Sequence, residues 1–166
     1  RIELEEHIRP SSLVDINDLF KTIISNFEIV LKKKKININL SLAIPTFVIG
    51  DEKKLQTVFS NLLDNAIKYS NENKSIFISS KISDGKLLEK NFMICIKDEG
   101  IGIPHRYISR ITERFFRVDL EQSNKVGGTG LGLAIVKHII TQHRGHYEIL
   151  SEENKGTEIQ IYLPAK

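Results

Sequence analysis

One cysteine, Cys95, stands in the whole chain. It has no partner for an internal disulfide and lies in a strand-like run, so it reads as a packed thiol in a reducing, cytoplasmic compartment. Proline is scarce as well: Pro10 interrupts a charged opening segment, and Pro45 ends a strand-like run. No stretch of ~18 apolar residues is present, so the sequence predicts neither a membrane-spanning helix nor direct membrane contact. No secretory leader opens the chain, which starts at Arg1 rather than Met. It reads as a piece of a longer protein, whose anchoring stays open. Strong charge of either sign is missing too. A net +3 suits a polyphosphate and gives no argument for nucleic acid. There is no internal repeat and no low-complexity tract. What remains, 166 residues with 40% apolar content, fits one globular domain with a single core.

Several familiar chemistry-bearing patterns are absent. No Gly-Lys-Ser/Thr marks a P-loop, and no His-Arg-Asp loop accompanies a protein-kinase glycine loop. No strand directly precedes Gly128-Thr-Gly-Leu-Gly132, as a Rossmann turn requires. His138, His143 and His146 lack an accompanying acid pattern, so zinc is not predicted.

What is present centres on Asp98-Glu-Gly-Ile-Gly-Ile-Pro104 and the segment it opens, which runs to Gly127-Gly-Thr-Gly-Leu-Gly-Leu133. A buried-looking strand, Phe92 to Lys97, ends in an acid. Two glycines follow, then a mostly polar stretch, then a second glycine cluster that opens a helix. Glycine lets backbone approach a ligand closely, and a helix N-terminus offers free N–H groups to a phosphate. An acid at one end and a phosphate cradle at the other read as a nucleotide site with a flexible cover.

Residues 1–12 read as a linker. Asp15 is placed to cap a helix, and Ile16, Leu19, Phe20, Ile23, Phe27 and Val30 recur at helical spacing, predicting one amphipathic helix to about Leu31. The basic run Lys32 to Lys35 reads as a solvated helix end that complements the dipole. Ile36 to Leu42 alternates as a strand, and Phe47 to Gly50 is a short strand or extended turn. Asp51 caps a second helix through about Tyr69. Leu55, Val58, Phe59, Leu62, Leu63, Ala66 and Tyr69 cover its broad apolar side. Asn61, Asn65 and Lys68 fall within roughly 60° of one another on the opposite side. Two carboxamides and an ammonium in that row suit a metal and a phosphate, and they equally suit an exposed polar face.

Ser75 to Ile82 alternates, Asp84-Gly85 reads as a hairpin turn, and the next strand starts near Asn91. Phe92, Ile94 and Ile96 point one way, and Asp98 continues that face. A carboxylate there needs a partner: a ligand amine, buried water or neighbouring backbone. In Glu113-Arg-Phe-Phe-Arg117 the aromatics form either a small satellite core or a docking surface. A helix from Leu133 to His143 is ended by Gly145. Two alternating runs, around Tyr147 and Ile149 and then Ile159 to Leu163, predict a hairpin.

Five of these segments resemble a known family in order. Asn61-Leu-Leu-Asp-Asn-Ala-Ile-Lys-Tyr69 is similar to the N box of sensor histidine kinases, and Asp98-Glu-Gly-Ile-Gly102 to their first glycine box. Glu113 to Arg117 resembles the F box, Gly128 to Leu133 the second glycine box, and Gly156-Thr157 the final glycine-threonine pair. The likeness covers about residues 13–164 and is nearest to kinases of the phosphate-regulon type. It implies the Bergerat ATP-binding fold, an α+β two-layer sandwich with a mixed, mostly antiparallel sheet of about five strands covered on one face by about three helices. It divides the chain into the linker 1–12 and a catalytic domain 13–166, with a mobile ATP lid over about residues 104–128.

The resemblance also implies roles. Asn65 would ligate Mg²⁺ with Asn61 beside it. Lys68 would touch phosphate, Tyr69 the adenine or ribose region, and Asp98 the adenine amino group. Gly100, Gly102 and Ile103 would line the site, with Thr157 at its base. Arg117 would reach the γ-phosphate of ATP. Gly128, Thr129, Gly130, Leu131, Gly132 and Leu133 would fold over the phosphates. Asn65, Lys68 and Arg117 would thus be the catalytic set. The implied reaction is phosphoryl transfer to a histidine on a separate dimerisation domain, with a response-regulator receiver domain downstream. Rival readings are an anti-sigma-type serine kinase, against which the F box argues, and a degenerate ATP-gated interaction module. The phosphoacceptor box itself is missing: His7-Ile-Arg-Pro10 is only superficially similar to it, lacking the acid. A second departure is Arg144-Gly145 where the family often has two glycines.

Overall fold

The computed structural model describes residues 10–84, 90–116 and 132–165. Its elements run β1 (Ser12–Asp15), α1 (Ile16–Asn26), α2 (Glu28–Lys34), β2 (Asn37–Ser41), β3 (Phe47–Gly50), α3 (Glu52–Lys68), β4 (Ser75–Asp84), β5 (Lys90–Asp98), a 3₁₀ turn (His105–Tyr107), α4 (Gly132–Gln142), β6 (His146–Glu152) and β7 (Gly156–Pro164). The five-stranded sheet has the order β2-β4-β5-β7-β6. Only the β2–β4 pairing is parallel; β4–β5, β5–β7 and β6–β7 are antiparallel. The mixed sheet is as expected. Four α-helices among the described residues replace the three expected.

The extra helix comes from a break. Ile16, Leu19, Phe20 and Ile23 are buried, as their spacing requires. Asp15 caps the helix, its Oδ1 accepting from Asn17 N–H and from the Thr46 hydroxyl. At Phe27 the backbone leaves the α-helical region, its N–H turns to Ile24 O, and α2 starts afresh. Apolar periodicity carries on across the break, so one helix became two. A short strand opens at Ser12. Ser12 already pairs with Gly50, and β1 and β3 form a two-stranded antiparallel ribbon. A bridge between Val48 and Ala165 ties that ribbon to the end of β7.

The core lies between the helices and one face of the sheet. β5 supplies a row of Phe92, Ile94 and Ile96, paired in register with Leu163, Ile161 and Ile159 of β7. From the helices come Phe20 and Phe59, with ring centroids 4.8 Å apart, and Leu55, Leu62 and Leu63. Each such side chain contributes about 1.5–3 kcal/mol by leaving water. This packing fixes α3 across the sheet and β5 beneath it, which sets where Asn61, Asn65, Lys68 and Asp98 stand.

One of the four lysines in the basic run is not simply solvated. Lys34 Nζ donates to Ile67 O at 2.7 Å, satisfying a carbonyl in the last turn of α3. Burial lowers its pKa.

The end of α4 carries a second local surprise. Gly145 N–H donates to Ile140 O and Arg144 N–H to Thr141 O, a Schellman closure. The residue in the left-handed conformation is Arg144, at φ 55, and not the glycine after it. Arg144→Gly is therefore expected to raise stability by about 0.5–1 kcal/mol, visible as a higher urea midpoint at unchanged slope. A lower midpoint would show that the Arg144 side chain contributes more than its backbone costs.

Candidate functional site

Asp98 is the last residue of β5 and is 8% exposed. Both protein donors reach the same oxygen: Gly100 N–H donates to Oδ1 at 2.9 Å and Thr157 N–H at 3.2 Å. Burial raises the pKa of the carboxyl, and the two backbone N–H groups pull it back part of the way. The ionised form therefore costs the domain stability as pH rises above the ordinary value of 3.8. A donor arriving at Oδ2 offsets that cost. Of the partners open to Asp98 on sequence grounds, neighbouring backbone takes one oxygen.

The loop after Asp98 lies on the tip of the β6–β7 hairpin. Ile101 N–H donates to Tyr69 O, and Asn154 N–H donates to Ile101 O at 2.7 Å. Gly102 has φ +72, and a Cβ there would overlap the Glu152 carbonyl. Ile103 N–H donates to Ser151 Oγ at 2.7 Å. Ser151 also lies 2.9 Å from Gly156 O and 2.8 Å from Thr157 Oγ1. One serine thus joins the loop after Asp98 to the strand that helps hold Asp98. The sequence reading missed it, because a lone serine on a half-exposed strand carries no motif.

α3 carries Asn61, Asn65 and Lys68, and its C-cap Tyr69 joins this loop by accepting from Ile101 N–H. Asn61 Nδ2 donates to Gly132 O, across to the first residue of α4, at the edge of hydrogen-bond range, 3.4 Å. Leu133 follows and packs on the core. Lys68 Nζ pairs with Asp64 Oδ2 at 2.7 Å, one turn back on the same helix. Tyr69 ends the helix as its C-cap, one residue short of the expected helical span.

Pro104 to Phe116 resolves the two readings of the aromatic pair by dividing them. Phe116 joins a satellite cluster: its ring lies 5.7 Å from Tyr107, and the Arg110 guanidinium sits 4.5 Å above it. Ile111, near them in sequence, is buried as well, which the sequence reading overlooked. Phe115 is 71% exposed, at φ 64. Arg117, Gly128, Thr129, Gly130 and Leu131 lie outside the described residues.

A buried acid at a strand end, a glycine turn behind it and a helix bearing two carboxamides are the parts from which the sequence predicts a nucleotide site. A family model described as histidine kinase-, DNA gyrase B- and HSP90-like ATPase matches residues 50–166. The chain belongs to that ATPase family. Among curated relatives, it is 34% identical over 164 residues to the sensor-like histidine kinase SenX3 of Mycolicibacterium smegmatis, covering 99% of this chain and 41% of that protein. It is 33% identical to the phosphate regulon sensor protein PhoR of Pseudomonas aeruginosa, covering 98% of this chain and 36% of the relative. This ATPase domain therefore spans between 18% and 41% of the length of the curated relatives it matches. Among solved structures, a mycobacterial sensor histidine kinase, MprB, is similar at 30% identity and TM-score 0.76, covering 94% and 98% of the two chains. The full-length kinase ShkA, in complex with AMPPNP, matches at 25% identity and TM-score 0.81 over 96% of this chain and 32% of that one. No described helix of the ATPase domain is long and apolar enough to cross a membrane.

A histidine braces the helices of the ATPase domain. His143, 2% exposed, has both ring nitrogens engaged: Nε2 accepts from Asp51 N–H at 3.0 Å, and Nδ1 lies 2.8 Å from Ile139 O. Because Asp51 N–H can only donate and Ile139 O can only accept, the ring is neutral with its proton on Nδ1. This joins the end of α4 to the cap of α3. Burial lowers the His143 pKa, with Lys54 acting the same way; the Ile139 carbonyl and Asp51 oppose them. The unfolded chain thus takes up this proton at a pH where the folded domain refuses it. The brace contributes fully above the ordinary value of 6.5, and its contribution falls as pH drops below it. Wild type should lose stability faster than His143→Gln below pH ~6.5, by up to about 1.4 kcal/mol per pH unit, in paired urea titrations. Parallel curves would exclude the brace as the titrating group.

Proposed function

We propose that this ATPase domain transfers the γ-phosphate of Mg·ATP to a histidine on the dimerisation domain of its parent protein. The observation that carries the reading is Asp98: a buried carboxylate with both backbone donors on one oxygen and the other left for a ligand amine. The adenine amino group is such a donor. Tyr69, Gly100, Gly102, Ile103 and Thr157 surround that end. Lys68 is close enough to Asp64 to be held in place until a phosphate competes for it. Residues from Pro104 to about 128 form the lid in this reading. Arg117 reaches the γ-phosphate, and Gly128, Thr129, Gly130, Leu131, Gly132 and Leu133 lie over the phosphates.

The metal fits the donors available. The Asn65 side chain is half-buried, and its oxygen is a donor atom of the kind Mg²⁺ takes. Asn61 stands one turn away. No group of three or more His, Cys, Asp or Glu side chains occurs among the described residues, so carboxamide oxygens and the phosphates themselves would be the ligands. Mg²⁺ takes oxygen ligands, retains water, and supplies neutralisation of phosphate charge. The chain's own work is positioning: Asp98 fixes the base, and Asn65, Lys68 and Arg117 fix the phosphates in line with an incoming nitrogen. Residues 1–12 are the linker toward the dimerisation domain, apart from the strand that Ser12 opens. A response-regulator receiver domain is the later acceptor, and the reaction is cytoplasmic.

The test is γ-labelled ATP incubated with this chain, with and without the parent's purified dimerisation domain. Acid-labile, base-stable label on that domain, and none on this chain alone, is expected. ATP binding without label transfer would overturn the kinase reading and leave the nucleotide site standing.

A further inference from the structure

Three contacts meet on the Ser151 hydroxyl, and counting hydrogens orients all of them. A serine hydroxyl has one hydrogen and two lone pairs. Ile103 N–H can only donate, so it occupies one lone pair. Gly156 O can only accept, so it takes the single hydrogen. The contact at 2.8 Å with Thr157 Oγ1 is then a hydrogen bond in one sense alone, with Thr157 donating into the second lone pair. No other arrangement satisfies all three. The Thr157 hydrogen is committed to Ser151, and its oxygen keeps only acceptor capacity. Thr157 N–H is meanwhile bound to Asp98 Oδ1, which fixes this residue beside the carboxylate.

We propose that Ser151 is a specificity-determining residue for the purine, acting by turning Thr157 into an acceptor beside the acceptor Asp98. The proposal rests on the reading above, in which this end of the site holds the base. Two acceptors suit the 6-amino group of adenine. A guanine in the same pose presents its 6-oxo group, a third acceptor, and finds no donor. Without Ser151, the Thr157 hydrogen is free to turn to that oxygen. Ser151 touches no base in this scheme and works only through Thr157.

The experiment is calorimetry of this chain with non-hydrolysable ATP and GTP analogues, with Mg²⁺ in both. Wild type should prefer the adenine nucleotide. Ser151→Ala should reduce that preference by roughly threefold to tenfold, the weight of one hydrogen bond changing sense. Ser151→Thr, which keeps the hydroxyl, should hold it near wild type. Ser151→Cys, a weak acceptor of similar size, should reduce it and serves if the alanine variant does not fold. In a Thr157→Val background, Ser151→Ala should leave the ratio unchanged. A ratio unaltered in Ser151→Ala, including equal weakening of both nucleotides, overturns the proposal, as does a further change in the Thr157→Val background. Wild type that binds neither nucleotide would instead overturn the site reading beneath it.

Discussion

Asp98→Asn is expected to lower ATP affinity by at least about tenfold and leave the domain folded. The asparagine oxygen can keep the two bonds that Oδ1 accepts from Gly100 and Thr157. Its nitrogen must then stand where Oδ2 stood, a donor facing the adenine amino donor. The substitution reverses one group's hydrogen-bond sense and changes little in shape. Preference over GTP should shrink with it. Asp98→Ala is the contrasting case. It leaves a buried N–H group at Gly100 and a part-buried one at Thr157 without that acceptor, at about 1–3 kcal/mol for the buried one, so its loss of binding would be mixed with loss of stability. Calorimetry with an ATP analogue, alongside thermal unfolding of the empty domain, separates the two. ATP affinity equal to wild type in Asp98→Asn would remove Asp98 from the site.

Gly156→Ala should be the most damaging single methyl group in the domain. Gly156 sits at φ +129, a region essentially closed to residues with a side chain. A Cβ there would overlap the carbonyl oxygen of Asp98 itself, so relief requires β5 and the start of β7 to part. The expected cost is about 3 kcal/mol or more, with ATP binding lost as Thr157 moves off Asp98. Gly132→Ala is the control for stability. The nearest described atoms to its added Cβ would be those of Asn61, 3.8 Å away or farther, so it should cost almost nothing. Urea midpoints of the two variants decide the matter. A Gly156→Ala midpoint within experimental error of wild type would show that the strands can separate there freely.

The fold was legible where burial repeats at a fixed period. α3, the β5 row and the β6–β7 hairpin follow from apolar spacing, and the Asp15 and Asp51 caps follow from residue type at a helix start. Phe27 was not legible, because the break lies in its backbone torsion while its side chain keeps the helical rhythm. β1 was hidden by its brevity: four residues with one buried apolar side chain, Val14, give no alternation to read. At the site, Asp98 and the glycines announce themselves by type and order. Ser151, His143 and Lys34 do not, because each works on backbone groups, which every residue possesses and no sequence pattern marks. The Lys68–Asp64 pair was overlooked for a different reason. Its i,i+4 spacing is that of ordinary helix neighbours, but the resemblance assigns Lys68 to phosphate.

The tip of the β6–β7 hairpin, Glu153 to Lys155, is solvent-exposed and would ordinarily be chosen for inserting a tag, a reporter or new chain ends. Here that choice fails. Glu152 O lies under Gly102, and Asn154 N–H holds Ile101 O, so the turn is the seat of the loop beside Asp98. Lengthening it would carry the loop beside Asp98 away with it. Among the described residues the bend at Ala43 to Pro45 makes no hydrogen bond to that loop, its Ala43 N–H donating to Ser80 Oγ, and it is the better place to graft a sensor module.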